Sequence, residues 1–132
     1  MRPEILEKLV QSKNLHQVNL ANLNITDDEI QEIFDKIREI KPQATEYDFD
    51  CNHITDKGAH ILSQNLRDCD QLSSLSIQFN GIDTDGAMDL FSLKQKFPNL
   101  QILFHGNRII NVSEMAEIEK SALGNIGFRP TK

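Results

Sequence analysis

Cys51 and His53 are the pair of side chains whose types and spacing come nearest to nucleophile-and-base chemistry, with Asp48 and Asp50 close by. A thiolate nucleophile needs a base within hydrogen-bond reach and a third group to orient that base. Only Asn52 separates the two, and the recurring pattern described below dictates that spacing. A cysteine-dependent reaction at Cys51 therefore stands as the enzymatic alternative, not as the main expectation. Cys69 falls between a helical and an extended stretch and has no partner signal. Asp48-Phe49-Asp50-Cys51-Asn52 begins like a calcium loop, with oxygen ligands at alternate places. The sixth place then holds His53 where glycine is required, and the twelfth holds Ala59 where a bidentate Glu should stand. His16, His53, His60 and His105 lack the second histidine three or four residues on that a zinc site uses. Neither GxxxxGK[ST] nor GxGxxG occurs. The expectation is no metal, no cofactor and no enzyme.

The chain has 132 residues and a formal charge of −6, with 39% hydrophobic residues. That length suits one domain with a real core. The charge points away from nucleic acid, whose phosphates demand clustered Lys and Arg. Mean hydropathy is −0.42, and no apolar run approaches the roughly 20 residues a spanning helix needs. Acidic residues in Met1-Arg2-Pro3-Glu4-Ile5-Leu6-Glu7-Lys8 interrupt the stretch where a signal peptide would be apolar. Two cysteines without a framework suit a reducing compartment, so a cytoplasmic location is expected. On that reading the sequons at Asn24 and Asn111 are chance matches.

The elements that position these side chains come from an internal repeat. The segments Leu15–Ile25, Ala44–Ile54 and Leu72–Ile82 superimpose, and a fourth copy ends in Ile102-Leu103-Phe104-His105-Gly106-Asn107-Arg108-Ile109. The closing isoleucines, Ile25, Ile54, Ile82 and Ile109, lie 29, 28 and 27 residues apart. Each unit follows LxxLxLxxNxI and leads into an apolar stretch of helical spacing. Val18 and Leu20, Tyr47 and Phe49, Leu75 and Ile77, and Ile102 and Phe104 alternate with polar residues. Period two puts each pair on one face of a strand, toward a core. Between them, Ile30, Ile33, Phe34, Ile37 and Ile40 predict a helix, as do Ala59, Ile61, Leu62 and Leu66. Ala87, Leu90, Phe91 and Leu93 predict a third. Asn52, Asn80 and Asn107 recur at the ninth place, where a buried amide could satisfy backbone groups at a bend. Leu23 stands there in the first copy. Gly58 and Gly86 read as turn residues ahead of their helices.

This pattern resembles leucine-rich repeat proteins of the ribonuclease-inhibitor type, over roughly residues 15–110. The resemblance implies an α/β solenoid, a short horseshoe with a parallel sheet on the concave face and helices on the convex face. It implies one domain: a helical cap over residues 1–14, about four repeats over 15–110, and a cap with tail over 111–132. In the first cap Ile5, Leu6, Leu9 and Val10 would close the core. In the last, Val112, Met115, Ala116 and Ile118 would do so, with Ser113 as a modest N-terminal signal and an irregular tail from Gly124 onward.

Relatives of this type grip partners with side chains that point away from the core. By register these include Asn19 and Asn22 in the first copy, and Glu46, Asp48 and Asp50 in the second. Ser76, Gln78 and Phe79 follow in the third, then Leu103 and His105 in the fourth. Glu46, Asp48 and Asp50 would stand roughly 7 Å apart on one face, an acidic stripe suited to Lys or Arg on a partner. Phe79 and Leu103 beside it resemble an apolar anchor with a polar surround. The resemblance implies a monomeric protein-binding module facing one protein partner, with a basic or active-site surface, and blocking an enzyme as the specific expectation. An adaptor using Arg38, Lys41 and Arg67 on the helical side is the binding-class rival. Small acidic proteins of this subclass also resemble effectors that intracellular bacteria deliver into host cells.

Overall fold

The computed structural model of the chain describes residues 1–109 and 112–124. The strands β1 (Gln17–Asn19), β2 (Glu46–Asp48), β3 (Ser74–Ser76) and β4 (Gln101–Leu103) form one parallel sheet in that order. The helices are α1 (Pro3–Gln11), α2 (Ile30–Ile40), α3 (Asp56–Arg67), α4 (Thr84–Phe91) and α5 (Val112–Gly124). A 3₁₀ turn over Asp27–Glu29 leads into α2, and another over Ser92–Gln95 extends α4. The α/β class and the four parallel strands agree with the sequence reading.

Each strand is short, but its pairing runs on past its end. Leu20, Phe49 and Ile77 donate their N–H groups to the carbonyls of Asp48, Ser76 and Leu103 at 2.8, 2.8 and 2.9 Å. Every residue of the alternating pairs is buried except Ile102, which is half-buried. Against this face pack α2, α3, α4 and α5, each touching the next. Phe34 of α2 stacks on Tyr47 and Phe49 with ring centres 5.7 and 6.0 Å apart, and Phe91 of α4 meets Phe104 edge to face at 5.8 Å. Such pairs add about 0.5–1.5 kcal/mol each beyond the area they bury.

The turns after the strands are held by the recurring asparagines. Asn52 Oδ1 accepts the N–H groups of Leu23 and Ile25 at 3.0 and 2.9 Å, while Nδ2 donates to the carbonyls of Leu20, Phe49 and Asp50. Asn80 serves Ile54 N–H and the carbonyls of Phe49, Ile77 and Gln78. Asn107 serves Ile82 N–H and the carbonyls of Ile77 and Phe104. Each amide thus ties its own turn to the one before it. The residue ahead of this position is left-handed in all four copies: Asn22, Cys51, Phe79 and Gly106 have φ of 62°, 59°, 56° and 83°.

A second ladder runs along the helix starts, and it corrects the reading of two glycines. Gly58 and Gly86 lie inside the first turns of α3 and α4, not ahead of them. Asp27 Oδ1 accepts Thr55 N–H at 2.8 Å and Oδ2 bonds the Thr55 hydroxyl. Asp56 Oδ1 accepts the N–H groups of Asp83 and Gly86 at 2.8 and 3.0 Å. A Cβ at Gly58 would fall 2.2 Å from Asp27 Oδ1, and one at Gly86 2.5 Å from Asp56 Oδ1. Glycine is there to admit the preceding aspartate. The first copy has no such neighbour and carries Glu29, which pairs with Arg2 Nε at 2.7 Å. That guanidinium holds the Glu29 carboxyl below the usual range and also donates to Leu23 O at 2.6 Å.

Four further observations refine the sequence reading. In α1 only Ile5 and Leu9 are buried, because Leu6 and Val10 lie on the helix side away from the core. Leu15 is 59% exposed, since α1 has ended and no earlier strand covers it. Lys41 is buried at 3% exposure, with Nζ donating to Gln17 O at 2.8 Å and its ammonium pKa pulled down by burial. Ala116 faces outward on α5, where Ile118 and Ala122 are buried instead, and Ser113 sits within the helix. The side chain of Val112 and the tail expected beyond Gly124 lie outside the described residues.

Candidate functional site

Alternation along each strand turns one row of side chains away from the helices. The register aligns Gln17, Glu46, Ser74 and Gln101 in one row, and Asn19, Asp48, Ser76 and Leu103 in the next. Together with Asp50 and Gln78, all of these but Gln101 line a shallow groove of about 370 Å³. Beyond its far end lie Phe79 and His105.

The three carboxylates share this face but differ in environment. Glu46 is exposed and takes one hydrogen bond from Gln17 Nε2, at 3.0 Å. Asp48 is half-buried, and its Oδ1 accepts Asp50 N–H at 2.9 Å. Burial pushes the Asp48 carboxyl up, and the charge of Asp50 adds to that shift. Asp50 is a scaffold: Oδ1 accepts the Ser76 hydroxyl and Gln78 N–H, both at 2.7 Å, and Oδ2 accepts Gln78 Nε2 at 3.3 Å. Among the described residues no Lys, Arg or His forms an ion pair with any of the three. Ser76, expected at the surface, is buried at 8% exposure, because Asp50 and Gln78 close over its hydroxyl.

Phe79 and Leu103 are 52% and 40% exposed, and the Phe79 ring meets His105 edge to face at 5.6 Å. Asn19 and Asn22 are exposed on the first strand and its turn, with Asn19 Oδ1 accepting Ala21 N–H at 3.3 Å. The face therefore brings together all ten expected residues, nine of them at least partly exposed and Ser76 covered by Asp50 and Gln78.

The thiols are placed differently. Cys51 is exposed, but no hydrogen bond joins it to His53 among the described residues; His53 Nε2 lies 3.1 Å from Asn24 Oδ1. Cys69 Sγ lies 3.7 Å from the Tyr47 hydroxyl, and burial pushes its pKa up, which lowers the thiolate fraction. A larger cleft of about 620 Å³ opens between the loops before β2 and β3, lined by His16, Pro42, Gln43, Cys69 and Asp70 among others. Within it His16 Nδ1 lies 3.3 Å from Gln43 O. Among the described residues no group of three His, Cys, Asp or Glu is placed to hold a metal ion, and no helix is long and apolar enough to cross a membrane.

The sequence reading missed Arg2, which ties the start of α1 to Glu29 and to the Leu23 carbonyl in the first turn, and the signal was its place ahead of Pro3 at a helix start. It also missed the Asp50–Ser76–Gln78 knot, which depends on cross-strand register.

No family model matches the sequence, and no curated protein matches it. Among solved structures the chain is similar to one described as "Leiomodin-1 Actin-Binding Site 2 (ABS2)", with a TM-score of 0.67 and 20% identity. The match covers 88% of this chain and 68% of that one, and at this identity the likeness is one of fold.

Proposed function

We propose that the chain is a protein-recognition module of the leucine-rich repeat type and binds one partner protein through the sheet face opposite its helices. The observation that carries this reading is that face itself: exposed Phe79, Leu103 and His105 beside carboxylates with which no cation among the described residues forms an ion pair. A solenoid assignment draws support from the 29-, 28- and 27-residue spacing and from the amides that tie each turn to its predecessor. The similar solved structure is described as an actin-binding site, so a protein-binding role fits the fold. Four strands at about 4.8 Å span some 20 Å, enough for a standard patch of about 800 Å².

Within that reading, obstruction of an enzyme's active site is the specific role proposed. The adaptor alternative has lost part of its surface, because Lys41 is buried and Arg38 bonds Asn65 and Asp35.

The test is affinity capture from cell lysate, with purified actin as one defined candidate. Wild type, an open-face variant (Asp48→Lys with Leu103→Glu) and a helix-side variant (Lys36→Glu with Glu39→Lys) are compared. A protein retained by wild type and the helix-side variant but lost from the open-face variant supports the reading. Retention by the open-face variant, with loss from the helix-side one, contradicts it.

A further inference from the structure

We infer that the open face takes a basic segment of its partner, one that sets an apolar side chain about 10 Å from a lysine or arginine; this rests on the protein-binding reading above. The starting point is Phe79. Its backbone is left-handed at φ 56°, a region that bulky residues rarely adopt. The equivalent places in the first and last copies hold Asn22 and Gly106, residues suited to it. The Phe79 ring is nevertheless 52% exposed, so core packing does not account for it.

Nor is the ring loose. It lies across Gly106, where a Cβ would fall 2.3 Å from Phe79 Cδ1, and meets the His105 ring edge to face. Leu103, 40% exposed, projects from β4 two residues before His105. A fixed aromatic beside an exposed leucine is a preorganised apolar anchor, which avoids part of the ordering entropy of binding. Scattered exposed apolar residues are ordinary; here Leu103 lines the groove and Phe79 lies just past it, its N–H bonded to the carbonyl of His105, two residues after Leu103.

Charge then decides the occupant. The groove that Leu103 closes is lined by Glu46, Asp48 and Asp50 and by no Lys or Arg. Asp50 is engaged by Ser76 and Gln78, which leaves Glu46 and Asp48 as the receptive carboxylates. Asp48 aligns with Ser76, and Ser76 with Leu103, so two strand spacings, about 10 Å, separate the acid from the anchor. An acidic or neutral segment would leave the half-buried Asp48 without a counter-charge. A lysine or arginine over Asp48, with an apolar neighbour against Phe79 and Leu103, fills both halves.

The experiment is selection of phage-displayed random peptides of about a dozen residues on the immobilised full chain, followed by affinity measurement with the synthetic winners. Enrichment of Lys or Arg at a fixed spacing from an apolar residue is expected. Phe79→Asn keeps a residue that tolerates the left-handed turn and should weaken binding about ten-fold or more. Glu46→Gln with Asp48→Asn should weaken it about ten-fold, and so should raising NaCl from about 0.05 to 0.5 M. Thermal melts of each variant establish that the fold is intact, and Leu103→Ser provides a second reading of the anchor. Winners that are acidic or uncharged, affinities indifferent to these substitutions, or no enrichment at all would overturn the inference. So would self-association of the chain that Phe79→Asn abolishes, since the patch would then serve a second copy. Amide exchange with a winner bound separates the two levels. Protection on the strands by an uncharged peptide sinks the basic-segment inference alone, whereas protection on the helices sinks the protein-binding face as well.

Discussion

Replacing Asn52 by Leu removes the side chain that ties the first two turns together, and the loss can be worked from its bonds. Asn52 is 6% exposed and accepts two backbone N–H groups, those of Leu23 and Ile25. Leucine has the same γ-branched skeleton and no acceptor, so the buried Ile25 donor is stranded and the part-buried Leu23 donor loses its partner. A buried unsatisfied group costs about 1–3 kcal/mol, so the pair predicts a loss of about 3 kcal/mol, a large part of a total near 5–15 kcal/mol. Asn107, 5% exposed, accepts one N–H, that of Ile82, so Asn107→Leu should cost about 2 kcal/mol. Asn80 also accepts one, from Ile54, but is only half-buried and water can substitute, which predicts about 1 kcal/mol. Urea unfolding followed by far-ultraviolet circular dichroism measures all three, with the denaturant slope checked for constancy. A loss at Asn52 under about 0.5 kcal/mol, or a larger loss at Asn80 than at Asn52, would refute the argument that these amides satisfy the bends.

Three more outcomes are expected. Gly58→Ala should destabilise by about 1–2 kcal/mol, because the new Cβ displaces the Asp27 carboxylate from Thr55 while gaining only helix propensity; Gly81→Ala, whose Cβ would meet nothing closer than 3.6 Å, should be neutral in the same melts. Cys51→Asn should stabilise by about 1 kcal/mol, since an exposed residue at φ 59° gains from a side chain that tolerates the left-handed region; a drop in the thermal midpoint would contradict this. Asp48→Asn should stabilise at pH 7. Burial holds the folded Asp48 pKa above its unfolded value, so the folded state binds its proton more readily and stability falls as pH rises through that window. The gain from Asn should therefore shrink as pH drops through the carboxylate range and vanish once the unfolded Asp48 is also protonated; a gain that persists there would point to a cause other than ionisation.

Periodicity carried much of the fold. Val18, Tyr47 and Leu75 could be assigned to one face because side chains alternate along a strand, and Asn52, Asn80 and Asn107 because their place in the repeat is fixed. The site was legible to the same extent: period two put Glu46, Asp48 and Leu103 outward. What stayed hidden depends on contacts between copies. Ser76 follows the outward alternation yet is closed over by Asp50, whose reach across one strand spacing no single segment reveals. Lys41 reads as an exposed helix end, but its stem lies along the core and its ammonium caps the Gln17 carbonyl. Gly58 and Gly86 look like turn residues because the aspartates they accommodate lie 31 and 30 residues earlier. Leu15 matches the motif, but burial at that place needs a preceding unit, and α1 ends too early to supply it.

A partner seated on the sheet face would shield its backbone amides, which hydrogen–deuterium exchange of the chain with and without a captured partner reads out. Slowed exchange is expected over residues 17–22, 46–51, 74–79 and 101–106, with α2, α3 and α4 unchanged. Protection confined to those helices, with the strand ends exchanging as in the free protein, would contradict it.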